Sequence, residues 1–263
     1  LKVFYEDTLA NKVKVLAPDV NVSGYRFEPV SRTEIRYGLG AVKGTGESAV
    51  GAILRARDAA DGKAEPFRDL FDFCARVDKR IVNRRVVEAL VRAGALDCLD
   101  ATEGAHRPSL LASVGIALDA AEQAERNAQQ ASLFGGGEDP SRHRPGLIAA
   151  PRWNELQRLR EEKASLGFYL SGHPFSACRA EIGRFVRTSL RNLTPTAGSE
   201  GGVRSQLLSG VVESVRIQKT QSGRMVIVNL SDGTATQEVS VYNEVFEQYR
   251  DLVKEDAVIV VEA

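Results

Sequence analysis

The sequence is short of most residues that announce a chemistry. Of its 263 residues only three are histidine and three are cysteine. Cys74, Cys98 and Cys178 are scattered, and no pair has the short spacing of a zinc site or a dithiol redox motif. Sparse, unpaired thiols fit reduced positions in a cytoplasmic protein. The histidines lie far apart and no acidic cluster accompanies them, so neither a nucleophilic triad nor a two-metal centre is expected. No apolar run approaches the ~18 residues of a membrane helix, and no signal peptide is recognisable, so no membrane partner is expected. Net charge is missing too, since 35 basic side chains balance 35 acidic ones. A neutral chain has no global pull on a polyanion, so any nucleic-acid binding has to come from local patches.

What is present is enough apolar side chain, 43%, to build ordinary cores. The length predicts two or three units of roughly 100 residues each. The first residue is Leu1 and the last residues form the apolar run 257–261, which reads as a piece cut from something larger. The patterns predict an α+β chain in several parts. Residues 1–31 combine a short helix over 1–11 with a strand near Val15 and a turn near Ser23, the end of a domain begun upstream. Residues 32–104 are helical. Ala49, Val50, Ile53 and Leu54 have helical spacing, as do Val86, Val87, Leu90 and Val91, with Gly94 as a C-cap. Between them Phe67, Leu70, Phe71 and Phe73 predict a short helix opened by Pro66. Residues 105–151 hold one alanine-rich helix over 109–130, then glycines 135–137 and a loop. Residues 152–202 connect, beginning with a charged helix over 153–166. In 203–263 the order strand, strand, strand, helix, strand, with turns at Ser222-Gly223 and Asp232-Gly233, is that of an OB-fold lacking its fifth strand.

Three strings carry chemistry. In the first, Lys43-Gly44-Thr45-Gly46 opens a helix that continues through Ala49, Ile53 and Arg57. Two glycines around one residue let backbone N–H groups approach a phosphate, and a helix start adds its positive dipole end. The spacing formally matches a dinucleotide-binding turn, but the stretch before it is too glycine-rich for the buried strand that motif requires. A plain helix-start turn is a second reading, and a helix-hairpin-helix that grips the DNA backbone without reading sequence is the third. A second hairpin is read at 78–85, where Lys79, Arg80, Arg84 and Arg85 crowd a helix start. The other strings are Gln130-Ala131-Ser132-Leu133-Phe134, at a helix end, and the unusual Gly167–Pro174.

In order along the chain, Tyr37–Arg57, Phe67–Arg76 and Val82–Leu99 resemble the tandem helix-hairpin-helix region of bacterial DNA polymerase III alpha subunits. Leu16–Asn21 resembles the end of that family's fingers region, with Ala17 where the family more often has a proline. Leu166–Pro174 resembles a string that precedes its OB-fold. The resemblance implies a piece of a DNA-directed DNA polymerase without its catalytic centre. No cofactor is expected in this piece; the parent would use Mg²⁺ held by carboxylates upstream of Leu1. Duplex DNA would be gripped by Lys43, Gly44, Thr45, Gly46, Lys79, Arg80, Arg84 and Arg85. Gln130, Leu133 and Phe134 resemble the pentapeptide that binds the sliding clamp, the beta subunit; the bland alternative is a helix end packed on its own core. Other replicase subunits are implied as partners. The OB-like part could take single-stranded DNA through Arg216, Lys219, Arg224 and Tyr242, or bind protein instead, with Phe246 and Tyr249 expected in its core. His173 is read as a structural residue at a turn. A non-enzymatic repair or recombination adaptor, and an RNA-binding OB module of a translation factor, are the alternatives.

Overall fold

The computed structural model describes residues 1–58, 65–99, 104–134, 145–193, 205–220 and 223–263, with side chains except at 130–134, 220, 223 and 224. Two units emerge, Leu1–Ser171 and Gly172–Ala263. Both helices and strands contribute, as expected of an α+β chain.

In the first unit, α1 (Lys2–Ala10) leads into β1 (Lys14–Leu16). β1 runs parallel to β3 (Glu34–Arg36), whose other edge pairs antiparallel with β2 (Glu28–Pro29). The expected division at 31/32 therefore falls inside a three-stranded sheet. Five helices follow: α2 (Glu47–Arg57), α3 (Leu70–Arg76), α4 (Arg84–Ala93), α5 (Arg107–Phe134) and α6 (Glu155–Leu166). Side-chain oxygens start three of them. Asp69, Asn83 and Asn154 accept the N–H groups of Asp72, Val86 and Gln157 at 2.8, 3.2 and 2.8 Å. This corrects the third helix, which opens at Asp69 and not at Pro66. Phe67 lies before it, buried, with its N–H donated to Asn21 Oδ1 at 2.7 Å. Likewise α6 starts at its Asn154 cap and leaves Trp153 outside. Gly94 and Gly167 end α4 and α6 with φ of +82° and +91°, a conformation that costs a residue with a Cβ more.

One apolar cluster runs from Val20 through Tyr37, Phe73, Leu90 and Leu110 to Phe168. It crosses the expected divisions at 104/105 and 151/152, because α5 packs on α3 and α4, and α4 packs on α6. Polar groups close the same unit. Glu162 is 1% exposed. Its Oε2 accepts the N–H groups of Leu170 and Ser171 at 3.0 and 2.9 Å and the Ser171 hydroxyl at 3.0 Å. Its Oε1 faces Arg107 Nη1 at 3.5 Å, and Arg107 also grips Asp97 at 2.6 Å.

In the second unit, β4 (Leu207–Thr220), β5 (Gly223–Ser231), β6 (Thr236–Tyr242), α8 (Asn243–Tyr249) and β7 (Val258–Glu262) follow the expected order. A four-residue helix, α7 (Arg179–Ile182), precedes them. The sheet order is β6-β5-β4-β7, every pair antiparallel, with a bulge in β4 between Val212 and Ser214. This is the OB-like part. One sheet face buries Leu208, Val212, Val226, Val228 and Leu230 against Phe246 and Leu190. Tyr249 corrects an expectation: it is 47% exposed, since α8 turns only Phe246 inward. The turn after β5 is fixed by Asp232, whose carboxylate accepts the N–H groups of Leu190, Thr234 and Ala235. His173 is structural. Its Nδ1 accepts the Phe175 N–H at 3.3 Å, and its Nε2 lies 3.2 Å from Ser231 Oγ.

Removing the Glu162 carboxylate leaves two amides and a buried guanidinium short of a partner. Glu162→Ala is expected to lower the unfolding free energy by about 3 kcal/mol, as breaking a buried, hydrogen-bonded charge pair does. Urea denaturation checks this. A loss within ~0.5 kcal/mol, the range of an ordinary surface change, would remove the network from the account of stability.

Candidate nucleic-acid interface

The first hairpin joins a 3-10 turn, Leu39–Ala41, to α2. Gly44 has a φ of +89°, and a Cβ there would meet nothing closer than Ala89 Cβ at 3.9 Å. Backbone conformation, not crowding, is the reason for glycine. Gly46 is the N-cap of α2 and is extended, so α2 starts without the side-chain cap that α3, α4 and α6 possess. Its first N–H groups and dipole end are left for another acceptor. Glu47, in the same turn, is the one acidic residue there. The dinucleotide reading does not survive: a 3-10 turn, and no strand, leads into the glycines.

Thr45 does not offer its side chain to a ligand. It is 8% exposed, and its hydroxyl lies 2.7 Å from the carbonyl oxygens of both Leu39 and Val42. It fastens the hairpin from inside. Lys43 is exposed. Its N–H donates to the Ser165 carbonyl at 2.8 Å, which ties the hairpin to the end of α6. A Cβ on Gly167 would come within 3.5 Å of the Lys43 ammonium, so the glycine that ends α6 also leaves room for that side chain.

The second hairpin spans 77–83 between α3 and α4. The Asp78 carbonyl accepts the N–H groups of Ile81 and Val82 at 3.0 and 2.8 Å. Asn83 then caps α4. Three of the four cations read from the sequence have acidic partners. Lys79 binds Glu125 of α5 at 2.8 Å, Arg80 binds Asp78 at 3.0 Å, and Arg84 binds Glu88 at 2.8 Å. Those hydrogen bonds hold the carboxyls of Glu125, Asp78 and Glu88 below their ordinary range. Arg85 is exposed and forms no ion pair among the described residues. Lys79 is only 18% exposed at its side chain, the least accessible cation of the set. An open groove of about 320 Å³ runs between Lys79 and Arg80 on one side and Glu122, Glu125 and Arg126 on the other. The i,i+4 partner of Arg84 was readable from sequence; Glu125, 46 residues from Lys79, was not.

In the second unit the register divides the expected single-strand residues. Arg216 pairs with Ile227, which pairs with Ser240, and Met225 pairs with Tyr242, so Arg216 and Tyr242 share one sheet face. Lys219 pairs with Arg224 on the opposite face. Tyr242 is 77% exposed, while Arg216 is 3.4 Å from Glu238. The Arg224 side chain lies outside the described residues, as do the side chains of Gln130, Leu133 and Phe134 and the glycines 135–137. The α5 backbone continues helical through Phe134, beyond the expected end at 130.

Burial pushes the Cys74 thiol up to about 12, so it stays protonated and non-nucleophilic at neutral pH. Among the described residues no three His, Cys, Asp or Glu side chains gather as a metal ion needs.

Glu125 screens the most constrained cation of the second hairpin. Glu125→Gln is expected to raise duplex affinity about two- to fivefold at low salt, the scale on which exposed ion pairs act, and to do less at high salt. Fluorescence anisotropy with a labelled duplex measures it. Unchanged affinity would take Lys79 out of the interface.

The family described as "Helix-hairpin-helix motif" matches residues 12–107. The chain is 42% identical over 266 aligned positions to "DNA polymerase III subunit alpha" of Neisseria meningitidis serogroup B, covering 100% of this chain and 22% of that protein. It is 38% identical to the protein of the same name in Vibrio cholerae, covering 94% and 21%. With that of Escherichia coli K12 the identity is 37%, covering 95% and 21%. Identity along the whole chain, the helix-hairpin-helix match and the OB-like sheet agree: the chain is similar throughout to one part of the bacterial DNA polymerase III alpha subunits and spans about a fifth of the length of the curated relatives it matches.

Proposed function

We propose that this chain grips duplex DNA without reading its sequence and helps to hold a replicative polymerase on its template. The observation that carries the reading is the first hairpin: an uncapped helix start behind Gly44 and Gly46, within the stretch that matches the helix-hairpin-helix family. Backbone N–H groups of Gly44, Gly46 and the first turn of α2 take one phosphate, with Lys43 beside it. Lys79, Arg80, Arg84 and Arg85 take phosphates at the second hairpin, the first three by exchanging their carboxylate partners. Exposed pairs of that kind are weak and screened, so exchange is inexpensive. Thr45 acts through the hairpin's shape.

The parent chain, on this reading, is a DNA-directed DNA polymerase that adds deoxynucleotides to a primer, with Mg²⁺ held by carboxylates outside the described residues. The setting is cytoplasmic, and other replicase subunits are partners. Gln130, Leu133 and Phe134 anchor the sliding clamp; a helix that ends at Phe134 has to unwind its last turn to present them in extended form. Arg216 and Tyr242 contact single-stranded template from one sheet face, and Lys219 and Arg224, which the structure puts in β4 and β5 and not in a loop, do so from the paired ends of those strands.

If about four phosphates are neutralised, log K against log salt should fall with a slope near −3.6, from ~−0.9 per phosphate. Lys43→Ala with Arg84→Ala should flatten it towards −1.8, two contacts having gone. Salt-independent binding, or strong discrimination between duplex sequences, overturns the proposal. For the clamp, Leu133→Ala with Phe134→Ala should weaken binding at least about a hundredfold, since two pocket-filling side chains contribute ~1.5–3 kcal/mol each and ~1.4 kcal/mol is tenfold. Surface plasmon resonance on immobilised clamp reads this, with the melting temperature as control. A folded double mutant that binds at full strength moves the anchor elsewhere; a clearly lower melting temperature makes those side chains core.

A further inference from the structure

The strongest uncompensated positive patch of the second unit is not on its sheet. It lies in the stretch 179–191, which holds Arg179, Arg184, Arg187 and Arg191 against a single acid, Glu181. All four arginines are exposed, and among the described residues none forms a salt bridge with a carboxylate. Their recorded partners are neutral. Arg179 donates to the Asp232 carbonyl at 2.5 Å and lies over the Phe175 ring at 5.3 Å, and Arg191 donates to the Thr234 carbonyl at 3.2 Å. This is the reverse of the second hairpin, where three of four cations are already paired. The one buried acid nearby, Asp232, spends both oxygens on backbone N–H groups and the Thr234 hydroxyl.

Phe185 lies between Arg184 and Arg187 in the chain, with 57% of its surface exposed. It is held there. Ile182 and Val186 on either side are buried with Phe175 and Val211, and the N–H groups of Phe185 and Val186 both donate to the Ile182 carbonyl, at 3.0 and 2.9 Å. The backbone under Phe185 is thus held between two buried anchors, and the ring keeps an apolar face in water. A cavity of about 280 Å³ in the same stretch is lined by Phe175, Ile182 and Val186 together with Arg179, Arg187 and Asp232.

We propose that the stretch 179–191 is a contact for single-stranded nucleic acid, with Phe185 as the stacking face for one base and Arg179, Arg184 and Arg187 as phosphate partners. Cations without carboxylate partners around an exposed aromatic ring are the combination that binds single strands with little sequence preference. A duplex keeps its bases inside and offers Phe185 nothing to stack on. The contact is separate from the sheet face of Arg216 and Tyr242, and it does not rest on the duplex reading.

The whole 263-residue chain contains a single tryptophan, Trp153. Phe185→Trp in a Trp153→Phe background therefore reports on this spot alone, whatever binds at the hairpins. Oligo-dT should quench that indole, and the same oligonucleotide made abasic should not. In anisotropy titrations of the chain with Trp153 and Phe185 intact, Arg184→Gln with Arg187→Gln should reduce the slope of log K against log salt by about 1.4, from ~0.7 per phosphate on single strands. Phe185→Ala should weaken oligo-dT by roughly 5- to 140-fold, the range that ~1–3 kcal/mol of base stacking converts to at ~1.4 kcal/mol per decade. Tyr242→Ala should leave the indole signal in place. All the substituted side chains in the patch are exposed, so melting temperatures should not move. An indole that is silent at saturating oligo-dT, equal quenching by the abasic strand, or quenching by polyglutamate but not by oligo-dT each overturns the proposal. The last outcome would assign the patch to an acidic protein instead.

Discussion

The first unit is closed by one buried carboxylate. Glu162 sits on α6 and accepts two backbone N–H groups and a hydroxyl from residues 170–171, while Arg107 of α5 supplies its countercharge. A buried charge is costly unless it is paired and hydrogen-bonded, and here both carboxylate oxygens are engaged. That arrangement sets the turn after α6. Phe168 stacks on Tyr5 of α1 with ring centres 4.6 Å apart, and the Tyr5 hydroxyl donates to the Leu170 carbonyl at 3.2 Å. Ser165, three residues beyond Glu162, takes the N–H of Lys43. The shape of the first hairpin is thus linked to a charge on a helix more than a hundred residues later.

Charge compensation separates the surfaces by what they are able to do. At the second hairpin three of the four cations are already matched by Asp78, Glu88 and Glu125, so a polyanion there would exchange partners and gain less than the bare count of lysine and arginine implies. At 179–191 Arg179 and Arg191 rest on carbonyl oxygens, which leave their charge in place. At the start of α2 the positive character comes from backbone N–H groups that Gly46 leaves uncapped, with the exposed Lys43 nearby in the chain. Three basic surfaces on a chain of zero net charge therefore differ in kind.

Much of this was legible in the sequence. The strand order of the second unit, the C-cap at Gly94, the helix start at Gly46 and the turn role of His173 follow from local rules, and the structure agrees with each. Boundaries moved where a cap outranked a pattern. Asp69 and Asn154 satisfy orphan N–H groups and so begin α3 and α6, whereas Pro66 and Trp153 lie just before them. Thr45 and Tyr249 went to the other side of the surface than expected, because the direction of a side chain on a turn or a short helix is set by what packs beneath it.

By itself, then, the sequence determined the elements, the family resemblance and the candidate strings, since periodicity, caps and turn residues act over a few positions. Only the tertiary structure decided which charges are free. Lys79 meets Glu125 across 46 residues, Glu162 meets Arg107 across 55, and Phe185 is turned outward by the burial of its neighbours. An electrostatic partner is chosen by distance in space, and one sequence carries no record of that distance until the chain has packed.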